Sequence, residues 1–164
     1  MDGTEIAHCT RADFTQILEH VADFWGSDRT LALHHPMLLY EFGDTAYVIR
    51  AGDQVIAYLF GLLSQTEPVG YVHLVGVHQG HRREGLARRL YEHFATDARA
   101  RGCRELKAIT TANNERSLAF HRAFGMEPVG EDRDGEIPIA RDYAGPGQHR
   151  VVLRMPLGKQ SKAP

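Results

Sequence analysis

The 164 residues are 43% hydrophobic and 24% charged, with 19 basic against 21 acidic side chains and a net charge of −2. That length and balance fit one globular domain and exclude a disordered chain or a broad basic platform for nucleic acid. Two cysteines, Cys9 and Cys103, are too few for a disulfide framework, and the longest apolar run, 55–63, is about half a membrane span.

In chain order, the first five residues hold no apolar stretch, so no secretory leader is expected. Thr10 with Asp13 three residues on makes a capping box. Behind it Phe14, Ile17, Leu18, Val21 and Trp25 recur at helical spacing, predicting one amphipathic helix over 11–25 that Gly26 ends. A shorter helix is expected over 34–42, starting near Pro36. Residues 45–50 and 54–63 flank Ala51-Gly52-Asp53 as a β-hairpin, and 69–77 forms a further strand. The runs 54–63 and 69–77 are apolar on both faces, as in a sheet covered on both sides. A helix over 86–101 follows, with Leu86, Leu90 and Phe94 in one stripe and Gly102 as its C-cap.

The remainder reads as strand 104–110, helix 114–124 and a final strand 150–155. The Gly/Pro/Asp-rich stretch 128–149 is too long for a bare loop, so part strand and part functional loop is expected. Fraying is expected at 158–164, leaving a single cytoplasmic domain over 1–157. This order predicts the α/β class, a mixed sheet with helices packed on it. Antiparallel hairpins come first and strand–helix–strand units follow.

The segment 74–90 carries the most chemistry. A buried strand runs into a short turn holding Arg82, Gly85 and Ala87, and a helix begins at once. Gly85 permits a sharp bend and close approach by a ligand, and Ala87 keeps bulk out of the first turn. The unpaired N–H groups of residues 83–88 then point outward at the positive end of the helix dipole. Two phosphates fit such a site, with Arg82, Arg83 or Arg88 adding charge-assisted contacts. Taken alone, Gly85 is equally a plain turn residue and the arginines a solvated face. The segment lacks the Gly-Lys-Ser/Thr of a nucleotide P-loop and the GxGxxG of a dinucleotide fold.

Arg82-Arg83-Glu84-Gly85-Leu86-Ala87 matches a Q/R-x-x-G-x-G/A acetyl-CoA motif. A second block, Asn113-Asn114-Glu115-Arg116-Ser117-Leu118-Ala119-Phe120-His121-Arg122-Ala123-Phe124-Gly125-Met126, is similar to a second signature of the same family. With both blocks in order, residues 45–126 resemble the GNAT superfamily of N-acetyltransferases. The resemblance implies a central mixed twisted sheet with helices on both faces, in which the parallel strands 69–77 and 104–110 splay apart. It also implies acetyl-CoA as co-substrate, with the pantetheine amides pairing to Val75 and Val77. The pyrophosphate would lie on Arg82, Arg83, Glu84, Gly85, Leu86, Ala87 and Arg88, and Asn114, Ser117 and His121 match cofactor-contacting positions.

Acetyl transfer needs a neutral amine, a group that takes its proton and a donor for the departing thiolate. His73 alternates with Tyr71, Val75 and Val77 on one strand face, which in the family borders the acceptor pocket. A neutral imidazole there is either the base or a core histidine satisfied by a carbonyl. Tyr71 would orient a water or donate to the thiolate. Asn114, Ser117 and His121 share one helical face. Many family members carry a tyrosine acid at the His121 position, so His121 is either that acid or only a cofactor contact.

The glutamate base of protein amino-terminus acetylators is replaced by Ile109, with Lys107 and Thr110 nearby. That shifts weight to His73 and to a small-molecule amine as acceptor. Glu41, Asp44 and Asp142 fall where the family shapes its acceptor pocket. His34 and His35 face different ways and carry no assigned role. No Cys/His spacing suggests a metal, and neither cysteine has a nucleophile context, so direct transfer is expected. An acyl-CoA-binding sensor with little turnover fits the same cofactor motifs. The missing lysine motif and the second block count against a nucleotide binder. No nucleic acid or membrane partner is implied, and a homodimer is left open.

Overall fold

The computed structural model describes residues 5–158; the expected tail beyond 158 lies outside the described residues. Its elements run β1 (Ile6–His8), α1 (Arg11–Glu19), α2 (Val21–Trp25), α3 (Met37–Tyr40), β2 (Ala46–Ala51), β3 (Gln54–Leu63) and β4 (Val69–Val77). There follow α4 (Leu86–Ala100), β5 (Glu105–Thr110), α5 (Glu115–Phe124), β6 (Glu127–Val129), β7 (Asp132–Asp134), β8 (Ile137–Ile139) and β9 (Val151–Pro156). Seven strands pair in the order β1-β2-β3-β4-β5-β9-β6, and β7 with β8 makes a separate antiparallel ribbon. This is the mixed sheet of the expected α/β class: β2–β3 is an antiparallel hairpin, and β4 and β5 run parallel. Among the described residues no helix is long and apolar enough to cross a membrane.

Several elements differ from expectation. The helix expected over 11–25 breaks at His20 (φ −118°, ψ 21°) into α1 and α2. Val21 and Trp25 stay in phase with the α1 stripe, so periodicity alone does not reveal the step. The helix expected over 34–42 shrinks to α3, with Pro36 at its N-cap and a 3-10 turn, Leu31–Leu33, ahead of it. β1 is three residues long, too short for an alternation signal, and gains its place by pairing Ile6 with Ile49 and His8 with Tyr47. β4 is not buried on both faces: Val72, Leu74 and Gly76 are covered, while Tyr71, His73, Val75 and Val77 are half-buried. The stretch 128–149 holds β7, β8, most of β6 and a turn-rich loop, as its composition suggested.

Two compact units divide the chain, Met1–Leu62 with His73–Thr96 and Leu63–Val72 with Asp97–Pro164. In the first, Phe14, Ile17, Phe24, Leu38, Val48, Tyr58, Phe60 and Leu74 form one apolar cluster. The capping box closes as expected, with Thr10 Oγ1 accepting from the Asp13 N–H at 3.2 Å and Asp13 accepting from the Thr10 N–H at 2.7 Å. Arg50 Nε donates to Asp13 at 2.8 Å and ties α1 to β2. The Tyr58 ring lies over Gly76, where an added Cβ would stand 2.6 Å from the ring.

In the second unit, β4 and β5 pair over Val69↔Glu105 to Val72↔Ala108. Leu106, Ala108, Leu118, Met126, Val151 and Leu153 are buried there. At its edge Arg154 joins Glu105 (2.6 Å) and Glu67 (3.1 Å), and Lys107 joins Glu67 at 3.3 Å. Lys107 is thereby committed to an ion-pair network.

Burial alone would raise the Asp13 carboxyl, but the Arg50 and Thr10 bonds outweigh it and hold it below its ordinary 3.8. Asp13→Asn should cost about 2–3 kcal/mol in urea unfolding near pH 7. The folded-state pKa is depressed, so this contribution is present above 3.8 and lost as pH falls through the lowered value. The gap between wild type and variant should therefore close in acid. Gly76→Ala should cost about 1–3 kcal/mol, read as a lowered Tm, because the Tyr58 ring must move.

Candidate functional site

In the first unit β4 delivers the chain into a tightly tied turn. The His78 N–H donates to the Ile56 carbonyl at 2.9 Å, and His78 Nδ1 accepts from the Gly80 N–H at 3.1 Å. Gln79 Nε2 and the Arg82 guanidinium reach back to the Ala22 and Phe24 carbonyls of α2, each at 3.1 Å. Arg83 and Gly85 then take left-handed geometry (φ 68° and 75°) just before α4 opens at Leu86. The conformation costs glycine nothing and costs Arg83 about 1 kcal/mol, and an outlay of that kind is typical of functional turns.

The expected phosphate-turn residues divide by exposure. Leu86 buries its side chain and offers only backbone, and Ala87 is half-buried; Arg83, Glu84, Gly85 and Arg88 are exposed. A Cβ on Gly85 would meet nothing within 4 Å, so the backbone there is open to a ligand. Arg82 is drawn to the carbonyl end of α2, Arg88 pairs with Glu92 at 3.4 Å and Glu84 with His81 at 3.3 Å. The turn places backbone ahead of the positive end of a 15-residue helix, an arrangement whose chemistry suits an anion.

His73, Val75 and Val77 follow one another along the half-buried face of β4. The His73 ring donates to the Leu33 carbonyl. Burial pushes its pKa below 6.5, with the rings of His35 and His34 adding and the Leu33 bond opposing. The imidazole is therefore neutral near pH 7, with its proton on the nitrogen facing Leu33 and its lone pair on the other.

His34, to which the sequence gave no role, is buried at 4% exposure. Its Nδ1 lies 2.8 Å from the Thr30 carbonyl and its Nε2 2.7 Å from the Tyr58 hydroxyl, which also accepts from Trp25 Nε1 at 2.7 Å. Nothing in its spacing distinguishes His34 from His35. Their burial is what separates them.

In the second unit Tyr71 is half-buried. Burial raises its phenol to about 12, with Tyr143 adding and Arg150 opposing, so it stays protonated at neutral pH. Asn114 Oδ1 caps α5 by accepting from the Ser117 N–H at 3.1 Å. One helical turn on, His121 Nδ1 donates to the Ser117 carbonyl at 2.7 Å, with Ser117 Oγ at 3.3 Å. The three residues do share one face. Burial lowers the His121 pKa against the opposing Ser117 bond.

A cavity of about 330 Å³ is lined by Thr111, Asn113, Asp134, Ile139, His149 and Arg150. Asp142, expected near an acceptor, accepts from the Gly147 N–H at 2.7 Å and faces His149 at 3.6 Å, which shapes its own loop. Burial raises both thiols, Cys9 to about 12.

The acetyltransferase (GNAT) family profile matches residues 13–126, which include both signature blocks. An aminoglycoside N(6')-acetyltransferase type 1 from Acinetobacter genomosp. 13 is 29% identical over 98 residues, 60% of this chain and 67% of that one. The ribosomal-protein-S18-alanine N-acetyltransferase from Escherichia coli shares the fold with a TM-score of 0.68 at 16% identity, over 98% of both chains. A GNAT superfamily phosphinothricin acetyltransferase from Sinorhizobium meliloti, solved in complex with AcCoA, gives 0.67 at 16% identity, over 99% of this chain and 93% of that one. With its mixed sheet and both motif blocks inside the matched region, the chain belongs to the GNAT acetyltransferase family and is an acyl-transferring enzyme.

Proposed function

We propose that this enzyme transfers acetyl from acetyl-CoA directly to the primary amine of a small molecule, with His73 as general base. The observation that carries the reading is the place of His73, on the half-buried face of β4 beside Val75 and Val77 with its ring bonded to the Leu33 carbonyl. Its lone pair is thus on the opposite nitrogen, as a base requires.

The 82–88 turn fits a pyrophosphate. Gly85 is open, Leu86 presents backbone only, and Arg83 stands exposed beside them. Val75 and Val77 offer backbone to the pantetheine amides, and Asn114 and Ser117 are carried over from the family as cofactor contacts. Acetyl-CoA supplies the thioester carbonyl that the amine attacks. As the C–N bond forms and the C–S bond breaks, His73 takes the proton from the amine nitrogen. Tyr71, held protonated, gives its proton to the departing sulfur and regains one from water.

His121 is assigned to holding the cofactor-facing side of α5. Its one ring proton is bound to the Ser117 carbonyl, and burial disfavours a second. Direct transfer fits the raised thiols, which give no thiolate near neutral pH. The aminoglycoside acetyltransferase relative and the isoleucine at position 109 favour a small acceptor over a protein terminus.

Calorimetry with acetyl-CoA, followed by an amine panel that includes aminoglycosides, should show binding and then free-thiol release with at least one amine. Binding without release would favour the sensor reading, and no binding would overturn the proposal.

His73→Gln should lower kcat about 100-fold while leaving acetyl-CoA affinity unchanged. Because burial lowers the His73 pKa, the acid limb of kcat/KM should fall below 6.5, with activity lost as pH drops through that lowered value. Gly85→Ala, strained at φ 75°, should weaken acetyl-CoA binding about tenfold with little change in kcat at saturation.

A further inference from the structure

The 3-10 turn Leu31–Leu33 supplies the carbonyl to which His73 donates, yet it buries none of its own side chains. Leu31 and Leu33 are 42% and 47% exposed. The turn is held from its end, by His34. The Thr30 carbonyl can only accept, so His34 Nδ1 carries the proton across that 2.8 Å bond and Nε2 is left bare. The Trp25 indole can only donate, so the Tyr58 oxygen accepts from it at 2.7 Å and must send its own proton to His34 Nε2.

Every proton in the chain Trp25→Tyr58→His34→Thr30 therefore has one place. Tyr58 itself has little freedom, with its ring over Gly76 and against Phe24 (centroids 5.0 Å apart) and Phe60 (5.1 Å). The Leu33 carbonyl shares its peptide with the His34 N–H, which donates to the Leu31 carbonyl at 3.0 Å, so that peptide is held both by the turn and by the residue whose ring is anchored.

We infer that Trp25, Tyr58 and His34 are positioning residues that aim the Leu33 carbonyl and thereby select the tautomer of His73. The catalytic meaning of this relay rests on the reading of His73 as base; its effect on the tautomer does not. Removing the Tyr58 hydroxyl leaves His34 Nε2 buried without its donor and weakens the buried anchor of the turn. His73 then loses a fixed acceptor and becomes free to carry its proton on either nitrogen.

The test is ¹⁵N imidazole NMR on the full chain, with the His73 resonances assigned by their loss in His73→Gln. Wild type should show a single neutral tautomer of His73, and Tyr58→Phe a mixture. Trp25→Phe, which removes the bond feeding Tyr58 and keeps an aromatic ring beside His34, should shift the populations less and in the same direction. The titratable groups facing His73 are His34 and His35, and burial is the main cause of its lowered pKa.

With the amine found in the panel, Tyr58→Phe should lose about tenfold or more in kcat, with the calorimetric affinity for acetyl-CoA unchanged. A single, unshifted His73 tautomer in folded Tyr58→Phe protein would overturn the relay. A mixed tautomer in Tyr58→Phe alongside full turnover by His73→Gln would uphold the relay and overturn the base assignment. If Tyr58→Phe fails to fold, Trp25→Phe carries the same readout, and an unmoved tautomer there overturns the inference.

Discussion

The absence of a side chain at Gly76 is the constraint on which the first unit turns. A Cβ there would press to 2.6 Å against the ring of Tyr58; without it, the ring lies flat over β4 and its hydroxyl meets Trp25 and His34 together. Through that oxygen the end of α2, the middle of β3 and the turn before α3 share one buried hydrogen-bond chain. A buried polar chain of this kind is stable only when every donor and acceptor is matched, and here each proton is forced by a neighbour that can play one role. The apolar cluster around Phe14, Phe24, Phe60 and Leu74 supplies the dry surroundings that make a mismatch costly.

Burial acts on three imidazoles in the same direction and to different ends. His34, His73 and His121 are all pushed below the ordinary histidine pKa by desolvation, and each gives a ring proton to a backbone carbonyl, of Thr30, Leu33 and Ser117 respectively. His34 spends its second nitrogen on Tyr58, inside the core. His73 stands half-buried on β4, with its ring bonded to the Leu33 carbonyl. His121 is as buried as His34, at 4% exposure, and its place on α5 suits holding that face. What separates the three is their burial and their partners, which residue type alone does not carry.

The anion turn shows how charge is divided between backbone and side chains. Of its arginines, Arg82 satisfies the carbonyl end of α2 and Arg88 pairs along its own helix, so the fixed positive character comes from the backbone ahead of α4. Gln79 and Arg82 bind carbonyls two residues apart in α2 and couple the shape of this loop to the same short helix that carries Trp25. One helix thus braces both the turn ahead of α4 and the hydrogen-bond chain through Tyr58.

Local sequence determined the elements whose signals are local. The Thr10–Asp13 capping box, the Leu86–Leu90–Phe94 stripe of α4 and the Asn114–Ser117–His121 face all depend on residues within a few positions of one another, and all form as spacing implies. The bend ahead of α4 belongs with them, because glycine's φ freedom and a helix start are written into consecutive residues. Tertiary structure alone decided the rest. β1 exists because β2 offers an edge. Arg82 turns to α2 because the carbonyl of Phe24 lies 58 positions back in sequence but 3.1 Å away. His34 differs from His35 because Tyr58, 24 positions on, meets one ring and not the other. A hydrogen bond's energy depends on distance and burial in space, and periodicity along the chain encodes neither for partners brought together only by the fold.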